Sequence, residues 1–200
     1  MRNFFARSLI APFAALALSG CISLGGGDPP PTLFTLTPTA SAPAGSGSAG
    51  LGKEALTVVE PDAPARIAVT RVPVQVDDSN VAYLEDALWV EKPARLFRRL
   101  LSETITTRTG RIVIDGTDAT IDTRQKLRGA LVDFGYDARS ASVVVRYDAI
   151  LDNNDDRLVT RRFESVIPGI VAEPAAVGDA INRAANDVAG QVAEWMATQG

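Results

Sequence analysis

Three segments of alternating apolar and polar residues, at 125–136, 141–151 and 157–167, follow one another with little between them. Alternation at period two puts apolar side chains on one face of a strand, and a pattern of this kind does not fit a helix. The first segment is expected to place Ala130, Val132, Phe134 and Tyr136 on one face. The second is expected to place Val143, Val145, Tyr147, Ala149 and Leu151 together. The polar run Asp152-Asn153-Asn154-Asp155-Asp156 between the second and third reads as a tight hairpin turn. Strands joined by so short a connection pair antiparallel.

Helical periodicity occurs twice. From Pro93 to Arg108, Leu96, Phe97, Leu100, Leu101, Thr104 and Ile105 form an apolar stripe, with Arg95, Arg98, Arg99 and Glu103 largely off it. Proline suits the first turn, and Gly110 ends the helix. From Pro174 to Thr198, Val177, Ile181, Ala184, Val188, Val192, Trp195 and Met196 share a face. Shorter extended pieces are expected at 33–36, 56–59, 66–76, 81–90 and 111–114. Pro73 marks an edge or strand end, Asp77-Asp78-Ser79-Asn80 a turn, and Glu85-Asp86 a further turn. The expected class is α+β, a largely antiparallel sheet with two amphipathic helices packed on one face.

The N-terminus has a separate logic. Arg2 and Arg7 precede an uncharged apolar run from Ile10 to Leu18, too short to span a bilayer. Leu18-Ser19-Gly20-Cys21 then places two small residues before the only cysteine of the chain. This run resembles the bacterial lipobox. Such a site is cleaved between Gly20 and Cys21, and the Cys21 thiol carries covalent lipid. Two or three acyl chains hold a protein at a membrane, at about 0.8 kcal/mol per buried CH2. The reading divides the chain into a signal peptide at 1–20, a lipidated cysteine, tether and first short strand at 21–54, and a domain at 55–200. Gly25-Gly26-Gly27 and Pro29-Pro30-Pro31 make the tether, and residues 38–52 return to Ala, Ser, Pro and Gly. Gly45 to Gly50 matches GxGxxG, but linker composition on both sides removes the strand and helix that a nucleotide fingerprint needs.

Charge and composition narrow the function. The formal charge is −4, and removal of Arg2 and Arg7 with residues 1–20 takes it to −6. An acidic chain without a basic run is poorly suited to nucleic acid. The chain has no histidine. It therefore lacks the usual neutral-pH base, the commonest metal ligand and every histidine-dependent triad. The acidic turn at 152–156 has no central glycine, so it reads as a solvated turn rather than a calcium loop. Asp115, Asp118 and Asp122 read as turn formers. No catalytic residue, metal or cofactor is assigned, other than covalent lipid on Cys21. Trp195 lies on the helix stripe and reads as core. The segment carrying Tyr83, Glu85, Asp86 and Trp89 has two readings, core packing or an aromatic anchor with a polar rim for a partner.

The order of these features resembles a known family. After the lipobox come Leu33-Phe34-Thr35-Leu36-Thr37-Pro38, Ile67-x-Val69-x-x-Val72-Pro73-Val74 and Trp89-Val90-Glu91-Lys92-Pro93. Leu127-x-Gly129-x-Leu131-x-Asp133-Phe134, Arg161-Arg162-Phe163 and a C-terminal helix with Trp195 follow. The whole is similar to the ABC-type transport auxiliary lipoproteins, the PqiC-like proteins. The resemblance implies a periplasm-facing envelope lipoprotein that assists an ABC/MCE-type lipid transport system by tethering and docking. Its expected partners are the membrane, through acyl chains, and an ABC permease or MCE-family protein, with transported lipid a further candidate. A structural or assembly lipoprotein of the outer membrane, or a direct lipid carrier, is the alternative. Ile22, where an aspartate would retain an enteric lipoprotein in the inner membrane, favours the outer membrane.

Overall fold

A computed structural model describes residues 32–116, 123–153 and 157–199. The chain runs β1 (Leu33–Phe34), β2 (Leu56–Val58), β3 (Arg71–Gln75), β4 (Val81–Trp89), α1 (Pro93–Thr109), β5 (Val113–Asp115), β6 (Gln125–Asp137), β7 (Ser142–Asp152), β8 (Leu158–Pro168) and α2 (Pro174–Ala197). Among the described residues these form one eight-stranded sheet and two helices, the α+β class expected.

The antiparallel meander β6–β7–β8 is the backbone of the sheet. Its two ladders run from Lys126↔Asp152 to Asp137↔Ser142 and from Ser142↔Pro168 to Asp152↔Leu158. The other edge of β6 is shared. β2 pairs parallel with its start, through Leu56↔Gln125, and β3 pairs parallel with its end, through Val74↔Tyr136. β5 extends the sheet beyond β2, and β4 then β1 extend it beyond β3. These short parallel ladders were not foreseen from the sequence.

One face of the sheet is covered. In β7, Val143, Val145, Tyr147, Ala149 and Leu151 are buried, as expected, while Val144, Arg146, Asp148 and Ile150 are only half-buried. Both helices pack on the Tyr147 side. Phe97 of α1 meets Tyr147 edge-on at 5.3 Å, and Trp195 of α2 meets Phe163 at 5.5 Å. Tyr147 and Phe163 are direct partners across β7 and β8. Trp195 is therefore core, as its place on the stripe indicated. The Tyr147 ring lies on Gly129, where a Cβ would come within 2.8 Å of ring carbon. Its hydroxyl donates to the Arg128 carbonyl at 3.0 Å, and burial pushes its pKa up, so it stays a neutral donor.

β6 departs from the expected face. Leu127, Leu131, Phe134 and Tyr136 are buried, whereas Ala130 and Val132 are half-buried. The register slips between Leu131 and Asp133. Val132 is the extra residue of a bulge, and a one-residue insertion switches every later side chain to the opposite face. The chain before β3 also differs. Residues 65–70 are turns and bends rather than strand. The Pro64 carbonyl accepts from Ile67 N and Ala68 N and closes that turn. Arg66 then reaches the bulge, donating to the Val132 carbonyl at 2.7 Å and to Asp133 at 2.6 Å.

The stretch at 38–52, read as linker, is instead a strap along the helices. Thr37 N and Thr39 N donate to the side-chain oxygens of Asn182 and Asn186 at 2.9 and 2.8 Å. Asn186 returns a bond to the Thr37 carbonyl, and Ala42 N donates to Glu103. Together with the pairing of β1 into the sheet, this moves the start of the folded part from residue 55 to the beginning of β1. The tether at 22–31 and the signal segment lie outside the described residues, as do Asp118, Asp122 and 154–156.

Both helix stripes are buried, and Gly110 caps α1 in a left-handed conformation. Arg98 breaks the sequence reading: it is 3% exposed, although its position lies off the stripe. Burial pulls its pKa down, with the charge of Glu60 acting in the opposite direction. Replacing Leu100 with Ala should cost about 2–5 kcal/mol by chemical denaturation, the range for a buried leucine. Arg98→Ala should cost more than the ~0.5 kcal/mol of a surface change, because its buried stem packs.

Candidate docking surface

The segment from Tyr83 to Trp89 is shaped by Pro73. Gln75, Val74 and Pro73 pair in order with Val81, Ala82 and Tyr83, but the next matched pair is Arg71↔Leu88. Two steps along β3 are thus met by five along β4. Proline has no N–H to continue the ladder, so a bulge rather than an edge resolves the Pro73 position. The expected turn at Glu85-Asp86 is the crest of this bulge, inside a strand that is otherwise continuous. Asp86 lies there at φ 53°, in the left-handed region that side-chain-bearing residues rarely adopt.

The bulge sorts the four candidate residues. Glu85 and Asp86 are exposed. Tyr83 is half-buried, with the Arg71 guanidinium 3.8 Å from its ring centroid, within cation–π range. Trp89 is 2% exposed and wedged between Phe34 at 5.6 Å and Phe134 at 5.5 Å. It is therefore a core residue in this structure, and the anchor reading fails for it because the β1 and β6 aromatics cover both sides. Its buried indole N–H has no acceptor among the described residues. The surface that remains comprises Arg71, Tyr83, Glu85 and Asp86. Cys21 and Gly20 lie outside the described residues.

The hairpin tip beside it is rigid. Asp77 accepts from Ser79 N and Asn80 N, both at 2.9 Å, and from the Asn80 amide. That amide first, then the two N–H groups, hold the Asp77 carboxyl below its ordinary pKa. A polar cleft of about 330 Å³ opens next to the hairpin, lined by Pro73, Gln75, Asp78, Asp137, Arg139 and Arg146 among others. Arg139 is paired to Asp137 at 2.8 Å and also to Asp78, and Arg146 is paired to Asp133 and Glu164. The Arg139 hydrogen bond keeps the Asp137 carboxyl low.

The same pattern continues across the uncovered face. Asp133, Arg146 and Glu164 are register partners on β6, β7 and β8, and Asp148 stands opposite Arg162 with contacts of 2.6 and 2.7 Å. Sequence reading missed this ladder, although charges at alternate positions of paired strands were its signal. Among the described residues, no three His, Cys, Asp or Glu side chains group as a metal site, and no helix is long and apolar enough to cross a membrane.

Comparison with known proteins places this arrangement. A family model described as ABC-type transport auxiliary lipoprotein component matches residues 34–193. No curated protein matches the sequence. A crystal structure of a Xanthomonas campestris protein of the DUF330 family superposes with a TM-score of 0.70 at 19% identity, covering 84% of this chain and 96% of that one. A second crystal structure, of an uncharacterised protein, gives a TM-score of 0.60 at 14% identity, covering 76% and 95%. At these identities the likeness establishes a shared fold.

Asp86→Gly should leave stability unchanged or raise it by up to ~1 kcal/mol, because glycine adopts positive φ freely. Asp86→Val should lower it by about 1–2 kcal/mol. Thermal unfolding of the two variants checks both outcomes.

Proposed function

Because the chain belongs to the ABC-type transport auxiliary lipoprotein family, we propose that it is a lipid-anchored, periplasm-facing component of an ABC/MCE-type lipid transport system, working by tethering and docking. The observation that carries this reading is the family match from residue 34, beginning thirteen residues after the lipobox cysteine Cys21. Acyl chains on Cys21 would fix the chain to a membrane, with Ile22 favouring the outer one. The segment at 22–32 spans at most ~40 Å when extended. Confinement within that reach raises the concentration of the domain near a permease or MCE-family partner without any new contact.

Docking is assigned to the β4 bulge. An ordered aromatic under a guanidinium, rimmed by two exposed carboxylates, offers a preorganised patch at small entropic cost. The proximity of Arg71 and the exposed acids favours a partner segment of mixed charge over a purely acidic or basic one.

Cys21→Ser should abolish acylation and leave the uncleaved precursor, since the chain has no other thiol. Mass spectrometry of the N-terminus checks this, and normal processing at position 21 would overturn the anchor. For docking, Tyr83→Ala and Asp86→Gly should each reduce capture of the transporter subunits in cells without a fall in melting temperature. Undiminished capture by both would move the docking surface elsewhere on the domain.

A further inference from the structure

β8 is an eleven-residue strand with β7 on one side and, among the described residues, no strand on the other. A long open edge invites pairing, and proteins usually shorten it or cover it. Here the free side is marked by one contact: the Gln191 amide of α2 donates to the Glu164 carbonyl at 3.1 Å. Backbone groups alternate in direction along an antiparallel strand. The even-numbered residues from Leu158 to Pro168 therefore turn their backbone groups to the open edge, and their side chains lie on the uncovered face.

We infer that β8 is an interface for a second copy of this chain, the two β8 strands pairing antiparallel about a two-fold axis at Phe163. In this register Arg162 stands opposite Glu164 of the second copy, and Glu164 opposite its Arg162. Thr160 meets Val166, and Leu158 meets Pro168, which covers the two exposed aliphatic side chains of the edge, Leu158 and Val166. The neighbouring registers are worse. An axis at residue 162 sets Arg162 against itself, and an axis at 164 sets Glu164 against itself, and like charges directly opposite destabilise a sheet. The strand sequence thus selects one self-complementary alignment.

The helix side supplies a second, independent match. Arg161 is exposed, lies over the Phe163 ring at 5.3 Å and forms no ion pair among the described residues. In the same register it stands opposite Ser165 of the second copy. Beside Ser165 runs α2, whose exposed Asp187 accepts from the Gln191 amide at 3.3 Å and forms no ion pair among the described residues. The pairing brings the unpaired guanidinium of one copy to the carboxylate of the other. Such a sheet would run continuously through both copies and remove the open edge from each. It is independent of any membrane anchor.

The test uses the full chain purified in detergent. In a Cys21→Ser background, which removes the one native thiol, the double variant Arg161→Cys with Ser165→Cys should give a reducible covalent dimer after oxidation. Neither single variant nor the unaltered chain should do so, because positions 161 and 165 of one strand are too far apart to bridge and oppose each other only between copies. Sedimentation should give the unaltered chain twice its monomer mass. Thr160→Pro, which removes an N–H on the open edge, should return the monomer at the same melting temperature. A monomeric unaltered chain, no bridge in the double variant, or equal bridging in the single variants would overturn the inference. If Thr160→Pro also lowers the melting temperature, the cysteine pair decides alone.

Discussion

The bulge at Val132 is the constraint on which the rest of the structure depends. β6 is the one strand that meets three others along its length, β7 on one side and β2 and β3 in succession on the other. Without the slip, its two halves could not both bury their large residues on the helix side: Leu127 and Leu131 occupy odd positions, Phe134 and Tyr136 even ones. The extra residue reverses the parity between them, so one strand covers the floor beneath both helices. Arg66 fixes the bulge by bonding the Val132 carbonyl and the Asp133 carboxylate together. The turn at 65–70, closed by bonds from Ile67 N and Ala68 N to the Pro64 carbonyl, carries that guanidinium to the bulge. Chain entering from β2 follows β6 through the Asp62 contacts with Gly129 and Leu131, then lifts over the bulge and re-enters as β3.

Two consequences reach the surface. Asp133, held between Arg66 and Arg146, begins a ladder of opposite charges that continues to Glu164 on β8. The uncovered face is accordingly polar but locally neutral. Exposed pairs of this kind contribute little to stability, typically under ~1 kcal/mol each. Their larger effect is on register, since a slip of β8 by two residues would set Arg146 opposite Arg162 in one direction and Asp148 opposite Glu164 in the other. The second consequence is at β4. With β3 reached only after the Arg66 turn, Pro73 falls inside the sheet rather than at its edge, and the partner strand must bulge to accommodate it.

Elements with a strong internal period were legible in the sequence. Both helices, the β7 face and the two hairpins of the meander follow from spacing alone, because a single buried face suffices to specify them. The lost details are those set by contacts distant in sequence. Val132 carries no local mark of a bulge, and the side chain that bonds it there, Arg66, lies sixty-six residues earlier. Residues 38–52 have linker composition, and contacts distant in sequence, to Asn182 and Asn186 of α2 and Glu103 of α1, turn that stretch into an ordered strap. Arg98 reads as surface by helical phase, yet it is buried in the fold, a fact its spacing does not carry. In the candidate site, Glu85 and Asp86 are exposed on the bulge, and the two readings of Trp89 are separated only by Phe34 and Phe134, distant in sequence, which enclose it.

The start of the folded part shows how a very short strand can still be firmly held. β1 has two residues and two register pairs with β4, too few to be stable as an isolated ladder. Its side chain compensates. Phe34 packs edge-on against Trp89 and lies against Gly178 of α2, where a Cβ would stand 3.0 Å from ring carbon. Any larger residue at 178 would push the ring away from Trp89. The strap then continues from β1 to Asn182 and Asn186, one and two turns further along the same helix. The ordered chain is thus fixed from Phe34 onward by a strand pair, a ring seated on a glycine and a line of amide bonds, contacts made to two different elements, β4 and α2.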